Sequence, residues 1–182
     1  MGTLILETGG AIEYSRQVRD PKTPPKFFLH WFWRMTAQLG LSKVWLASGN
    51  LAKAHAEADV LLESALSTAD PHLQALGWEM KTRIAMAEQA WDAAADYVHK
   101  ALAIVKKFEA PVAAWQVHAP AWDLYRHAKN EAAAESNRAL AESLILAIAN
   151  SFTSDDPIRR SFLSAPPVQR ILDQGCARNK AS

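Results

Sequence analysis

Three stretches of the chain superpose on one another at a spacing close to 40 residues: GNLAKAHAEADVLL from Gly49, QAWDAAADYVHKAL from Gln89 and HAKNEAAAESNRAL from His127. Leu51, Ala54, Ala58 and Leu62 coincide with Trp91, Ala94, Val98 and Leu102 at a step of 40, and then with Lys129, Ala132, Ser136 and Leu140 at a step of 38. Pro71 and Pro111, which open the intervening segments, are also 40 apart. A repeat of this length is one supersecondary unit that cannot bury both its faces, so neighbours must stack. The pattern predicts helical hairpins, with small residues at Ala54, Ala94 and Ala132 for close approach and larger neighbours forming the stripe that meets the next hairpin. Lys129 and Ser136 interrupt that stripe in the third copy, as expected of a terminal repeat that faces water.

Local start and stop signals agree with this period. Asp70-Pro71 and Asp156-Pro157 each set a capping carboxylate before a proline at the first helical position, and Thr23-Pro24 does the same. Gly49-Asn50 ends one helix and caps the next, and Asn130 is a further cap. These signals predict helices over 25–48, 51–68, 71–88, 91–108, 111–127 and 130–150, then short ones over 157–164 and 167–174. Pro120 falls inside the fifth and predicts a kink there, the alternative being a helix that starts anew at the proline. No segment alternates apolar and polar residues over strand length, so no sheet is expected. The sixth helix ends in LILAIANSF, apolar on more than one face, and the remaining chain offers Phe162, Leu163, Val168, Ile171 and Leu172 to cover it. Three parts follow: a segment 1–24, read as the remnant of an earlier hairpin, three hairpins over 25–150, and a capping tail over 151–182.

Most chemistry is excluded by composition and spacing. The formal net charge of +1 provides no global field for nucleic acid or an anionic membrane. GWEMKT from Gly77 lacks the second glycine and the preceding strand of a phosphate-binding loop, and neither H-E-x-x-H nor G-x-S-x-G occurs. The six histidines show no ligand spacing and have no cysteine partner, so neither a metal nor a cofactor is expected. Cys176 is the single cysteine, which excludes an intramolecular disulfide and fits a reducing compartment. The opening MGTLILETGG lacks a basic region, and the longest apolar run, Leu144 to Ala149, is far short of the ~20 residues a bilayer requires. A cytoplasmic protein without catalytic residues is the expectation.

The helix-turn-helix pattern resembles tetratricopeptide repeats, although that family's period is about 34 residues. Leu41, Trp45, Gly49, Ala54 and Leu61 occupy signature positions of the first repeat, and Trp78, Ala94 and Ala101 those of the second, where Gln89 replaces the glycine. The strings FFLHWFWRMTAQLGLSKVWLASGNLAKA, WEMKTRIAMAEQAWDAA, FEAPVAAWQVHAPAWDLY and DPIRRSFLSAPPVQRIL resemble the C-terminal repeat region of bacterial signalling proteins that carry an AAA-type or STAND-type ATPase, a cyclase or a protein kinase domain. The resemblance implies an all-α, right-handed stack of antiparallel hairpins with a capping tail. It also implies an interaction or scaffolding role, with a protein or peptide partner in the concave groove. The alternative is an intramolecular regulator of an ATPase, cyclase or kinase; a small-molecule-binding or catalytic bundle is a third class.

Carrying the repeat geometry across residue by residue makes the first helix of each hairpin line the groove. That implies Leu39, Lys43 and Leu46 from the first hairpin, Glu79, Arg83 and Met86 from the second, and Val117, Ala121 and Leu124 from the third. His118, beside Trp115, is the one histidine suited to a groove role, although a satisfied core histidine is the commoner outcome at such a position. Of the seven tryptophans, Trp33 is the candidate anchor and the others read as core. Phe27, Phe28, Trp31 and Trp33 crowd the first helix and present a face for self-association as a homodimer.

Overall fold

The computed structural model describes residues 30–179, and these form eight helices with no strand among them. In chain order they are α1 (His30–Ala47), α2 (Leu51–Leu66), α3 (Pro71–Ala87), α4 (Trp91–Lys107), α5 (Pro111–His127), α6 (Glu131–Asn150), α7 (Pro157–Ser164) and α8 (Pro166–Asn179). The expected caps set these boundaries. Asp70 accepts from the amides of His72 at 2.9 Å and Leu73 at 3.2 Å, and Asp156 accepts from Ile158 at 2.7 Å. Asn50 and Asn130 each accept from the amide three residues on, at 3.1 Å. Satisfying these otherwise orphaned donors is why the helices begin where they do. Thr23 and the segment 1–24 lie outside the described residues. Helix α5 runs unbroken through Pro120 rather than restarting there.

α1 packs chiefly on α2, α3 on α4 and α5 on α6, while α1, α3 and α5 also lie side by side. The turns between partners are built alike. Asn50 N–H donates to Trp45 O, Ala90 to Ala85 O and Asn130 to Tyr125 O, at 2.8 to 2.9 Å, each spanning a residue with positive φ. Those residues are Gly49, Gln89 and Lys129, 40 apart each time. The third repeat is therefore in register at 40, not 38. Ala134, buried like Ala54 and Ala94, stands at the close approach, whereas Ala132, Ser136 and Leu140 are exposed. The interruption of the stripe is real but falls on other residues. Arg138 occupies the position of Ala58 and Val98, held between Glu135 and Glu142 at 2.8 Å each.

Apolar burial follows the pairing. One cluster joins Met35 and Leu39 of α1 to Ala54, Ala58 and Leu61 of α2, Leu76, Met80 and Ile84 of α3, and Val117 of α5. α3 comes so near α2 at Gly77 that a Cβ there would meet Leu62 Cδ1 at 3.1 Å. A second cluster sets Val168 and Ile171 of α8, with Phe162 and Leu163 of α7, against Trp115, Trp122 and Ile145. The tail thus covers the apolar end of α6, as expected.

Candidate binding groove

The side-by-side helices α1, α3 and α5 put several of the expected residues together. Leu46 of α1 and Arg83 and Met86 of α3 line a common cavity with Ala119, Pro120 and Asp123 of α5, closed by Pro166, Pro167 and Arg170 of α8. Lys43 reaches across from α1, its Nζ donating to Gln116 Oε1 on α5 at 3.0 Å. Glu79 lies one helical turn before Arg83, fully buried, and its Oε1 accepts from the Arg83 guanidinium Nε. Its second oxygen, Oε2, has no hydrogen-bond partner. A buried carboxylate is costly unless compensated, so this pair fixes where the Arg83 side chain lies.

The electrostatics of this face are set by burial and by Lys43, Glu79, Arg83 and Asp70. The protein packed around the Lys43 ammonium lowers its pKa, with Glu79 opposing the shift and Arg83 adding to it. His72 on the same helix as Glu79 is also lowered, by burial first, with Asp70 opposing and Lys43 reinforcing. At the α8 side, Arg170 Nη2 donates to Asp123 Oδ2 at 2.7 Å and the same guanidinium lies 5.0 Å from the Trp122 ring centroid. The resulting wall is apolar, with donor-rich groups at defined points.

Other expected groove residues lie elsewhere. Leu39 and Val117 are buried in the cluster between α1, α2 and α3, and Leu124 and Ala121 are buried against α4 with Ala94 and Val98. For the third set the cause is register. The repeat of 40 makes Ala119, Asp123 and Arg126 the counterparts of Leu39, Lys43 and Leu46, two residues on from Val117, Ala121 and Leu124. Leu39 is in register and is buried where α1 packs on α2 and α3. His118 faces α6 rather than the groove. Its Nδ1 donates to Asn137 Oδ1 at 2.8 Å, because the Asn137 amide nitrogen is already donating to Ala133 O, and burial lowers its pKa. Asp123 and Pro120 enter with the 40-residue register, and nothing local in the sequence announces that α8 reaches the groove.

Of the other residues, His55 and five of the tryptophans are held in packing contacts. His55 bridges two helices, its Nδ1 accepting from Lys81 at 3.2 Å and its Nε2 donating to Glu88 at 2.9 Å. Trp115 and Trp122 are buried, Trp45, Trp78 and Trp91 are partly buried, and Trp33 is 53% exposed. Phe27, Phe28 and the side chains of Trp31 and Cys176 lie outside the described residues. Among the described residues no three His, Cys, Asp or Glu side chains converge as metal ligands, and no helix is long and apolar enough to cross a membrane. Comparison with protein-family models, curated proteins and solved structures yields no match.

Proposed function

We propose that this chain is an interaction module. Its helix pairs form a tetratricopeptide-like stack, and the surface shared by α1, α3 and α5 binds a peptide or partner domain. The carrying observation is that Leu46, Lys43, Arg83 and Met86, from two successive repeats, meet at one surface where apolar area alternates with fixed cations. Apolar anchors with a few positioned donors are what a peptide groove requires. Glu79 neutralises Arg83, so Lys43 carries the excess positive charge and the surface suits a segment mixing aliphatic and acidic residues. A scaffolding place in a bacterial, cytoplasmic signalling assembly is the context that the sequence resemblance suggests for such a module.

The test is a selection from phage-displayed random peptides against the immobilised full chain. Enrichment of acidic-aliphatic sequences, lost in a Lys43→Glu, Arg83→Glu variant that keeps its helical spectrum, supports the assignment. Peptides that bind the variant as tightly as the parent place the binding surface elsewhere.

A further inference from the structure

Near the C-terminal ends of α1 and α3 the groove deepens into a half-open cleft of about 480 Å³, a volume typical of small-molecule sites. Four elements wall it. Leu46, Met86, Ala119 and Pro167 make most of the wall apolar, and Arg83 from α3, Arg170 from α8 and Asp123 from α5 supply its charged groups. Each guanidinium is anchored at one point by a carboxylate of this chain, Arg83 through Nε to Glu79 and Arg170 through Nη2 to Asp123. Their other N–H groups have no acceptor among the described residues. A guanidinium only donates, so an occupant that meets both must accept hydrogen bonds at one end and be apolar over the rest. Carboxylate is the small acceptor whose planar pair of oxygens fits a guanidinium fork.

We propose that this cavity binds a small amphiphilic carboxylate of the medium-chain aliphatic class. Its head group lies between Arg83 and Arg170, and its chain packs against Leu46, Met86, Ala119 and Pro167. The site shares Leu46, Arg83 and Met86 with the peptide surface and extends from it to α8. An occupant that touches α3, α5 and α8 together fastens the C-terminal helix to the groove and links a free ligand to the shape of the interaction surface.

Titration calorimetry on the full chain with decanoate is expected to give saturable binding of one ligand per chain. Decanol and decyltrimethylammonium, which keep the chain but lose or invert the head-group charge, are expected to bind at least tenfold more weakly. Arg83→Gln retains a donor for Glu79 and is expected to weaken decanoate at least tenfold. Ala87→Phe, at an exposed position on the rim of the cavity, is expected to abolish binding by filling it. Far-UV circular dichroism checks that both variants fold, and if Arg83→Gln does not fold, Ala87→Phe decides. The proposal is overturned if decanoate does not bind, binds at several sites, binds no better than decanol, or binds the folded variants unchanged. None of these results depends on the peptide selection, which uses neither the ligand nor the Ala87 variant.

Discussion

Gln89 and Lys129 hold left-handed backbone, with φ of 60° and 57°, at the turn where the first repeat has Gly49 at 76°. A residue with a Cβ loses about 1–2 kcal/mol in this region through the clash of Cβ with the following carbonyl. Glycine removes that clash but gains freedom in the unfolded chain, which offsets about 0.5–1 kcal/mol. Gln89→Gly and Lys129→Gly should therefore each stabilise by about 0.5–1 kcal/mol. Among the described residues neither side chain makes a hydrogen bond or ion pair, so little is lost with it. The sites sit in different turns, and their effects should add. The double variant then gains about 1–2 kcal/mol, and at about 2–4 °C per kcal/mol for a chain of this size its melting temperature rises by about 2–8 °C. Urea unfolding followed by circular dichroism at 222 nm (the ~222 nm helix band of any folded helical protein) measures the shift in midpoint, and an unchanged slope confirms that the compactness of the end states is unaltered. Ala103→Gly, at an exposed position within α4, serves as the counter-control and should cost about 1 kcal/mol. If Gln89→Gly is as destabilising as Ala103→Gly, the left-handed turn is absent and the equivalence of the three turns fails.

Three further outcomes follow from the packing and the titrating groups. Ala134→Leu should destabilise by about 1–3 kcal/mol through overpacking at the close approach, whereas Ala132→Leu, on the exposed face, should stay within about 0.5 kcal/mol; thermal melts that reverse this order would restore the 38-residue register. Ile171→Ala, fully buried where α8 meets α5 and α6, should cost about 2–4 kcal/mol and raise the amide exchange of α8 first, and uniform loss across all helices would show that the tail is not a separable cap. His118 and His72 have pKa values lowered chiefly by burial, so the unfolded chain takes up their protons first. Their contribution is complete above the unfolded value of about 6.5 and is lost as pH falls from there towards the folded values. Denaturant midpoints should therefore drop between neutral and mildly acidic pH, and His118→Gln should shrink that drop; an unchanged drop would mean that His118 is protonated alike in both states.

Which parts of the molecule were legible beforehand depended on how local their causes are. The eight helices and most of their ends were readable because a cap needs only a side chain and the two or three amides beside it, as at Asp70, Asp156, Asn50 and Asn130. The cover for α6 was readable too, since an apolar surface must meet other apolar residues and the tail that follows it offers Phe162, Val168 and Ile171, which pack there. The register of the third repeat was not. Its text likeness, HKAL to NRAL, pointed to 38, while the turn that sets the register lacks a glycine at Gln89 and Lys129. The caps Asn50 and Asn130, 80 residues apart, already encode the register of 40.

By itself the sequence determined an all-helical chain, divided at known places, with a period near 40 and an apolar tail to dispose of. Tertiary structure decided which faces of those helices meet. It buried Val117 and Leu124, turned His118 towards Asn137, coupled the buried Glu79 to Arg83, and brought Arg170 to Asp123 across 47 residues of chain to close a cavity. Helix boundaries arise from hydrogen bonds between near neighbours in the chain. Pockets arise from the mutual orientation of distant helices, which small residues at Gly77, Ala54, Ala94 and Ala134 set by allowing close packing.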